Sequence, residues 1–325
     1  MSGLPVVPAH ALEEQPPERR WLVEGLWSTK AVGITGGEPK CCKSFLALDL
    51  AVSVASGAPC LGRFPVAEPG RALVFAAEDA LHVVRERLVG ICAARGVPFD
   101  ARLDVQVITA EALRIDLPED RLRLHDTVAE LRPRVLVLDP FVRIHRGDEN
   151  AAAEVAPMLA YLRELQRRFD TAVLVVHHAR KGAAHARAGQ ALRGSSEFHA
   201  WGDSNLYMRR RGPELLLSIE HRAAPSQSDL RVELHEGPGL ALRVVGDAGP
   251  NDHAPAVAAG PSEGPPRAPS ERVLAVLEAA DEPMTGAALR EACAMKSSIF
   301  WSALPALVAA GRVEKTSDGY QLAGA

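Results

Sequence analysis

No stretch of the 325 residues reaches the roughly 18 consecutive apolar side chains of a membrane-spanning helix. The N-terminus also lacks the basic-then-apolar run of a secretory signal. The chain is therefore expected to be neither membrane-embedded nor exported. It has no C-x-x-C pair and no Cys/His spacing of a zinc site. Its five cysteines, an odd number, stand at 41, 42, 60, 92 and 293, which argues against a disulfide framework and points to the cytoplasm. Positive charge is not in excess: 37 Lys+Arg face 41 Asp+Glu, a net of −4. Bulk electrostatic coating of nucleic acid is thereby excluded, and any such contact must use local basic loops. No internal repeat is found.

What the chain has is 47% hydrophobic and 24% charged residues, the proportions of a folded protein with a sizeable core. Residues 248–269 (AGPNDHAPAVAAGPSEGPPRAP) carry Pro, Gly and Ala with no hydrophobic period, so they read as a linker. They divide residues 1–247, enough for one large α/β domain, from residues 270–325, enough only for a small helical one. In the large part, strands expected over 31–35, 71–76, 135–139 and 172–177 alternate with helices over 43–56, 80–95 and 151–169. That alternation predicts a mostly parallel sheet with helices on both faces. From 205 to 245 only short strand patterns remain (LYMRRR, LLLSIEH, LRVEL, LALRVV), expected to extend the sheet as antiparallel strands.

Between the first strand and the first helix lies Gly36-Gly37-Glu38-Pro39-Lys40-Cys41-Cys42-Lys43-Ser44, followed by Phe45. This is where a phosphate-binding loop belongs, with backbone N–H groups and a helix N-terminus aimed at anionic oxygens, a lysine on the β- and γ-phosphates and a hydroxyl on Mg²⁺. Measured against G-x-x-x-x-G-K-[ST], Gly37, Lys43 and Ser44 fit, whereas Cys42 stands in place of the second glycine. The alternative is an ordinary strand-to-helix turn. A thiol at a helix N-terminus beside Lys43 is expected to have a lowered pKa; the plainer reading of Cys41 and Cys42 is small residues tolerated in place of Ser and Gly. Three further strand ends converge on the same edge, where open α/β sheets bind ligands. Val135-Leu136-Val137-Leu138 runs into Asp139 like a strand delivering a carboxylate to Mg²⁺, Ala72–Ala76 is followed by Glu78-Asp79, and the strand from Ala172 ends in His177-His178.

The phrases GEPKCCKSFLALDLAVSVASG, LVFAAEDALHVVRERL, LVLDPFVRIHRGDEN, VVHHARKG and ALRGSSEFHAWGDSNLYMRR, in that order, resemble the RepA-like branch of the RecA-fold P-loop ATPases, relatives of hexameric replicative helicases. The resemblance covers about residues 15 to 235. It implies ATP and Mg²⁺ as cofactors, with the loop from Gly37 to Phe45 as the phosphate cradle. Lys43 and Ser44 would bind phosphate and metal, Glu78 would position the attacking water, Asp139 would be the second metal-site residue, and His178 would sense the γ-phosphate. Strand alternation sends only one of His177 and His178 toward the site, and both stay open here. The resemblance further implies a homo-oligomer, with a hexameric ring as one form, whose sites are completed by a neighbour's arginine. Arg193 is the first candidate and Arg222 the second.

Two loops could carry single-stranded DNA. Residues 141–150 hold Arg143, His145 and Arg146 before Asp148 and Glu149; residues 179–193 hold Arg180, Lys181, Arg187 and Arg193 with no acid. Local positive charge is what a strand-tracking groove needs, although neither loop offers an aromatic platform and both could be solvated surface. Beyond the linker, helical patterns over 270–280, 285–294 and 297–310, the last with Ile299, Phe300, Ala303, Leu304, Leu307 and Val308 on one face, are followed by Gly311. A two-stranded wing over 312–322 turns at Asp318-Gly319. This is the pattern of a winged helix-turn-helix module. It carries five Lys+Arg against seven Asp+Glu, so protein docking is as good a reading as DNA contact. The sequence as a whole predicts an ATP-hydrolysing, DNA-acting, helicase-like motor. A loader or regulator without strand separation, or a nucleotide-gated adaptor with little hydrolysis, are the alternatives.

Overall fold

The computed structural model describes residues 4, 6–11, 20–178 and 197–247 of the first part, and 269–278, 280, 283–293, 300, 304–305, 307–308, 310–316 and 319–323 of the second. The chain separates into two compact units, Met1–His253 and Ala254–Ala325. The expected linker, the loop 179–193 with Arg193, and much of the expected third helix of the small module lie outside the described residues. Among the described residues no helix is long and apolar enough to cross a membrane.

In the first unit, β1 (Trp21–Val23) and β2 (Trp27–Ser28) form a small antiparallel pair that leads into β3 (Val32–Gly37), then α1 (Lys43–Ser56), β4 (Ala72–Ala76), α2 (Leu81–Arg95), β5 (Val105–Val107), α3 (Pro118–Leu131), β6 (Val135–Asp139), α4 (Ala152–Phe169) and β7 (Ala172–His178). A short helix, α5 (Glu197–Trp201), precedes β8 (Ser204–Arg211), β9 (Glu214–His221), β10 (Gln227–Glu236) and β11 (Leu240–Asp247). One nine-stranded sheet runs in the order β11-β10-β9-β8-β3-β7-β6-β4-β5. The central strands are buried on both faces, which is why β6 (VLVLD) and β7 (AVLVVHH) read as continuous apolar runs rather than alternating ones. Parity still sorts their side chains. Val135, Val137, Ala172, Leu174 and Val176 join the core that includes Leu46, Leu50 and Val54 of α1 and Ile91 of α2. Leu136, Leu138, Val173 and Val175 join the core that includes Leu124 and Val128 of α3 and Leu159 and Leu162 of α4. The result is a three-layer α/β/α arrangement.

The expected antiparallel extension of the sheet is present, and it is joined to the parallel part through β8. The first of the four late strands, β8, pairs parallel to β3, with Thr35 opposite Leu206 and Gly37 opposite Met208; only β9, β10 and β11 continue antiparallel. The chain leaves β7 at the sheet's carboxyl edge and re-enters beside the start of β3, where Asp203 N–H donates to the Val32 carbonyl at 2.7 Å. A strand that starts again from the amino edge runs parallel to the strands it joins, and β3 lies between β7 and β8.

The second unit contains α6 (Pro269–Glu278), α7 (Gly286–Ala292) and the antiparallel pair β12 (Val313–Lys315) and β13 (Tyr320–Leu322). Its core gathers Val273, Leu277, Leu289, Cys293, Phe300, Leu304, Leu307 and Val313.

Candidate functional site

The strand β3 ends at Gly37 because only glycine fits there. Its φ is +151°, and a Cβ would lie 2.1 Å from the Met208 carbonyl oxygen of β8. The chain then turns through Glu38, Pro39 and Lys40 into α1. No side chain caps the start of that helix, so its first N–H groups face the end of the sheet as an anion site. Two non-glycine residues here are left-handed, Lys40 at φ 63° and Cys42 at φ 59°. Such a conformation costs a residue with a Cβ about 1–2 kcal/mol, which is the price of Cys42 where the motif has glycine. Lys43 is buried, and its Nζ donates to the Glu38 carbonyl at 2.7 Å. Burial pushes its ammonium below the usual lysine range, against the pull of Cys41 and Asp139.

These residues open onto a cleft of about 320 Å³ lined by Lys40 through Phe45, Glu78, Asp79, Arg87, Asp139, Val176 and His178. Of the expected residues, Lys43, Ser44, Glu78, Asp139 and His178 therefore share one cavity, with Gly37, Glu38 and Pro39 leading into it. The two histidines separate by strand parity. His178 follows Val176 onto the α1 side of the sheet, while His177 is buried on the other side with its ring centroid 4.2 Å from that of Phe198 and its Nε2 3.9 Å from Glu149. Burial pushes His177 down to about 4.

Asp139 is buried and takes a hydrogen bond from Ser44. Burial raises its pKa to about 6, and the nearby charges of Asp79 and Glu78 add to the rise. A buried carboxylate bonded to a hydroxyl, with more acids nearby, is a hard-oxygen donor set that a divalent cation would neutralise, so these residues fit Mg²⁺. Among the described residues no group of three or more His, Cys, Asp or Glu is placed to hold a metal by itself.

The raised Asp139 has a consequence for stability. Below about pH 4 both folded and unfolded chains carry the proton, and the group contributes nothing. Between about pH 4 and pH 6 the unfolded chain has released the proton and the folded chain still holds it, so stability falls as pH rises. Above about pH 6 the cost is complete, about 3 kcal/mol for a shift from 3.8 to about 6. Asp139→Asn is therefore expected to stabilise the metal-free, nucleotide-free protein at neutral pH and to leave it unchanged near pH 4. Urea unfolding at the two pH values measures this, and an equal shift at both would contradict it.

The expectation of an activated thiol is overturned. Cys41 is buried and Cys42 half-buried, and desolvation raises both thiols despite the lowering charges of Lys43 and Arg210. Excluding water from the loop outweighs its positive field, which leaves the plainer reading of both cysteines as small residues. Arg222, the second arginine candidate, lies at the opposite, amino edge of the sheet and is salt-bridged to Asp203 at 3.2 Å.

Two arginines escaped the sequence reading, Arg87 and Arg210, and a third, Arg143, was expected only as a DNA-loop residue and not at the cleft. Arg87 of α2 grips Asp79 through both carboxylate oxygens and sits over the Phe45 ring, 5.2 Å from its centroid. Arg143 donates to Glu78 Oε1 at 2.8 Å. Arg210, the next-to-last residue of β8, stands on the phosphate-loop edge, close enough to act on both loop thiols. The run Arg209-Arg210-Arg211 closing a strand was the available signal for the last. Arg87 stands on a helix and Arg143 in a loop already singled out for its charge, and sequence spacing reveals the acid partner of neither.

A phosphate loop whose strand is separated from the Asp139 strand by the His178 strand, in the order β8-β3-β7-β6-β4, defines a RecA-fold P-loop ATPase. The chain belongs to the AAA_25 family, an AAA domain, whose model matches residues 2–184, more than half of its length. A solved structure titled "Crystal structure of the RadB recombinase" is similar to 66% of this chain and 90% of that one, at 15% identity and a TM-score of 0.49.

Proposed function

We propose that this protein hydrolyses ATP with Mg²⁺ and couples hydrolysis to single-stranded DNA, as a homo-oligomeric motor of the RepA-like branch. The observation that supports this most is the meeting of Lys43, Ser44, Glu78, Asp139 and His178 in one cleft at the carboxyl edge of the sheet. In this reading the N–H groups from Lys40 to Phe45 hold the phosphates, and Lys43 exchanges the Glu38 carbonyl for a phosphate oxygen. Ser44 and Asp139 hold Mg²⁺, which when bound offsets charge on the phosphates. Glu78 orients the attacking water and His178 contacts the γ-phosphate. Arg193 of a neighbouring subunit would supply a further positive charge. The second unit acts as a winged-helix docking module.

Steady-state turnover of Mg-ATP with and without oligo-dT tests the reading. Turnover stimulated by DNA is the expected result. Turnover indifferent to DNA would instead make the protein a regulator or loader. Binding without turnover would make it a nucleotide-gated adaptor, a reading that the left-handed Cys42 favours.

A further inference from the structure

The loop after β6 is fixed rather than free. Phe141 and Ile144 are fully buried, and His145 is nearly so. Glu149, at the loop's far end, stands 3.5 Å from His145 and 3.9 Å from His177 of β7. The Arg143 carbonyl accepts from Arg114, and Arg146 pairs with Asp116 at 3.1 Å. From this anchored backbone Arg143 reaches back to the cleft, 65 residues along the chain from Glu78, and donates Nε to Oε1. Both arginines that the sequence offers to a DNA strand from this loop, Arg143 and Arg146, are thus engaged with acids, and one of those acids borders the phosphate cleft.

We propose that Arg143 is a positioning residue that holds Glu78 in a resting pair, and that the phosphates of a single strand release Glu78 by taking Arg143. The proposal rests on the assignment of Glu78 as the residue that orients water. The bond to Arg143 holds the Glu78 carboxylate in the orientation that meets the guanidinium, so the pair and the water-orienting geometry compete for the placement of the side chain. The exchange is small. Glu78 already lines the cleft, and only a hydrogen-bond partner changes. It is also weakly opposed: the side chains are 60% and 42% exposed, and an exposed pair is held only loosely. A single strand presents many closely spaced negative charges to the same guanidinium, against the one carboxylate of Glu78. Arg143 therefore connects occupancy of the loop to the water-orienting side chain without a change of fold.

The test is kcat and KM for ATP of the wild type, Arg143→Ala, Arg143→Gln and Arg143→Lys, each with and without oligo-dT. The first two are expected to raise basal kcat about two- to fivefold, which is about 0.4–1 kcal/mol at the catalytic step. KM for ATP should stay unchanged, and oligo-dT should give little further stimulation. Arg143→Lys, which keeps the charge, should behave as the wild type. Arg143 is exposed, and thermal unfolding of each variant confirms that folding is intact. A basal kcat that is unchanged in both neutral variants would make Arg143 a plain strand contact, and one that falls would make it an aid to hydrolysis; either overturns the proposal. Glu78→Gln separates the two layers. If it abolishes turnover while the neutral Arg143 variants leave basal kcat unaltered, the Glu78 assignment stands and the resting pair does not. If it turns over at the wild-type rate, the assignment falls and the proposal with it.

Discussion

Glu78→Gln is expected to lower kcat for ATP by about 10²–10⁴ while leaving Mg-ATP binding nearly intact. Glutamine has the same length and still accepts a hydrogen bond, but its amide cannot take a proton from water. Binding should survive because the phosphate contacts come from the loop and α1, on the other side of β7 and β6 from β4, the strand that Glu78 follows. Asp79 supplies the internal control. It is the next residue and lines the same cleft, yet both its oxygens are taken by Arg87, so Asp79→Asn should disturb the Arg87–Phe45 packing more than the chemistry. Single-turnover rates and fluorescent-nucleotide affinities for the two variants separate the roles. Equal losses in kcat would mean that neither acid is distinguished as the base, and an unaltered rate in Glu78→Gln would remove the assignment.

How much of this was legible in the sequence depends on which force sets each feature. The central strands were legible because burial on both faces demands unbroken apolar runs such as Val135–Leu138, and an acid or histidine ending such a run marks the ligand edge. The His177/His178 alternative could be settled only by parity against packed neighbours, since both residues follow the same apolar strand. α3 was missed because Glu119, Arg123, Asp126 and Glu130 crowd its exposed side, Arg121 and His125 interrupt its packed side, and just three of its residues, Asp120, Leu124 and Val128, are buried. β5 was missed because its three residues sit at a half-exposed sheet edge. The direction of β8 was not legible at all: a short strand pattern carries no sign, and direction came from where the chain re-enters the sheet. The cysteine pair misled for a related reason. The sequence shows the lysine beside the thiols but not the exclusion of water, and desolvation is the larger effect on both.

Asp49→Ala is expected to destabilise the first unit by about 3–5 kcal/mol, the loss typical when one partner of a buried ion pair is removed. Asp49 is fully buried in the middle of α1 and accepts the Leu61 N–H at 2.8 Å. It also accepts from Arg95 at the end of α2, and the same guanidinium donates to the Leu242 carbonyl of β11. One carboxylate thus ties the helix that begins at the phosphate loop to α2, to the turn at Leu61 and to the edge strand. Burial raises the Asp49 pKa although Arg95 and the hydrogen bonds oppose it, which is the mark of a pair whose desolvation is only partly offset. Two different quantities follow. The pair as a whole adds little net stability, so Asp49→Leu with Arg95→Met should recover most of the loss. Removing Asp49 alone leaves the Arg95 charge, whose side chain is 6% exposed, with a single carbonyl in place of a carboxylate. Urea unfolding of the wild type, the single variant and the double variant gives all three free energies. If the single variant lost less than about 1 kcal/mol, Arg95 must reach water by a route that this packing does not offer. A double variant as unstable as the single one would mean that α1 needs the carboxylate for its backbone contact to Leu61 rather than for its charge.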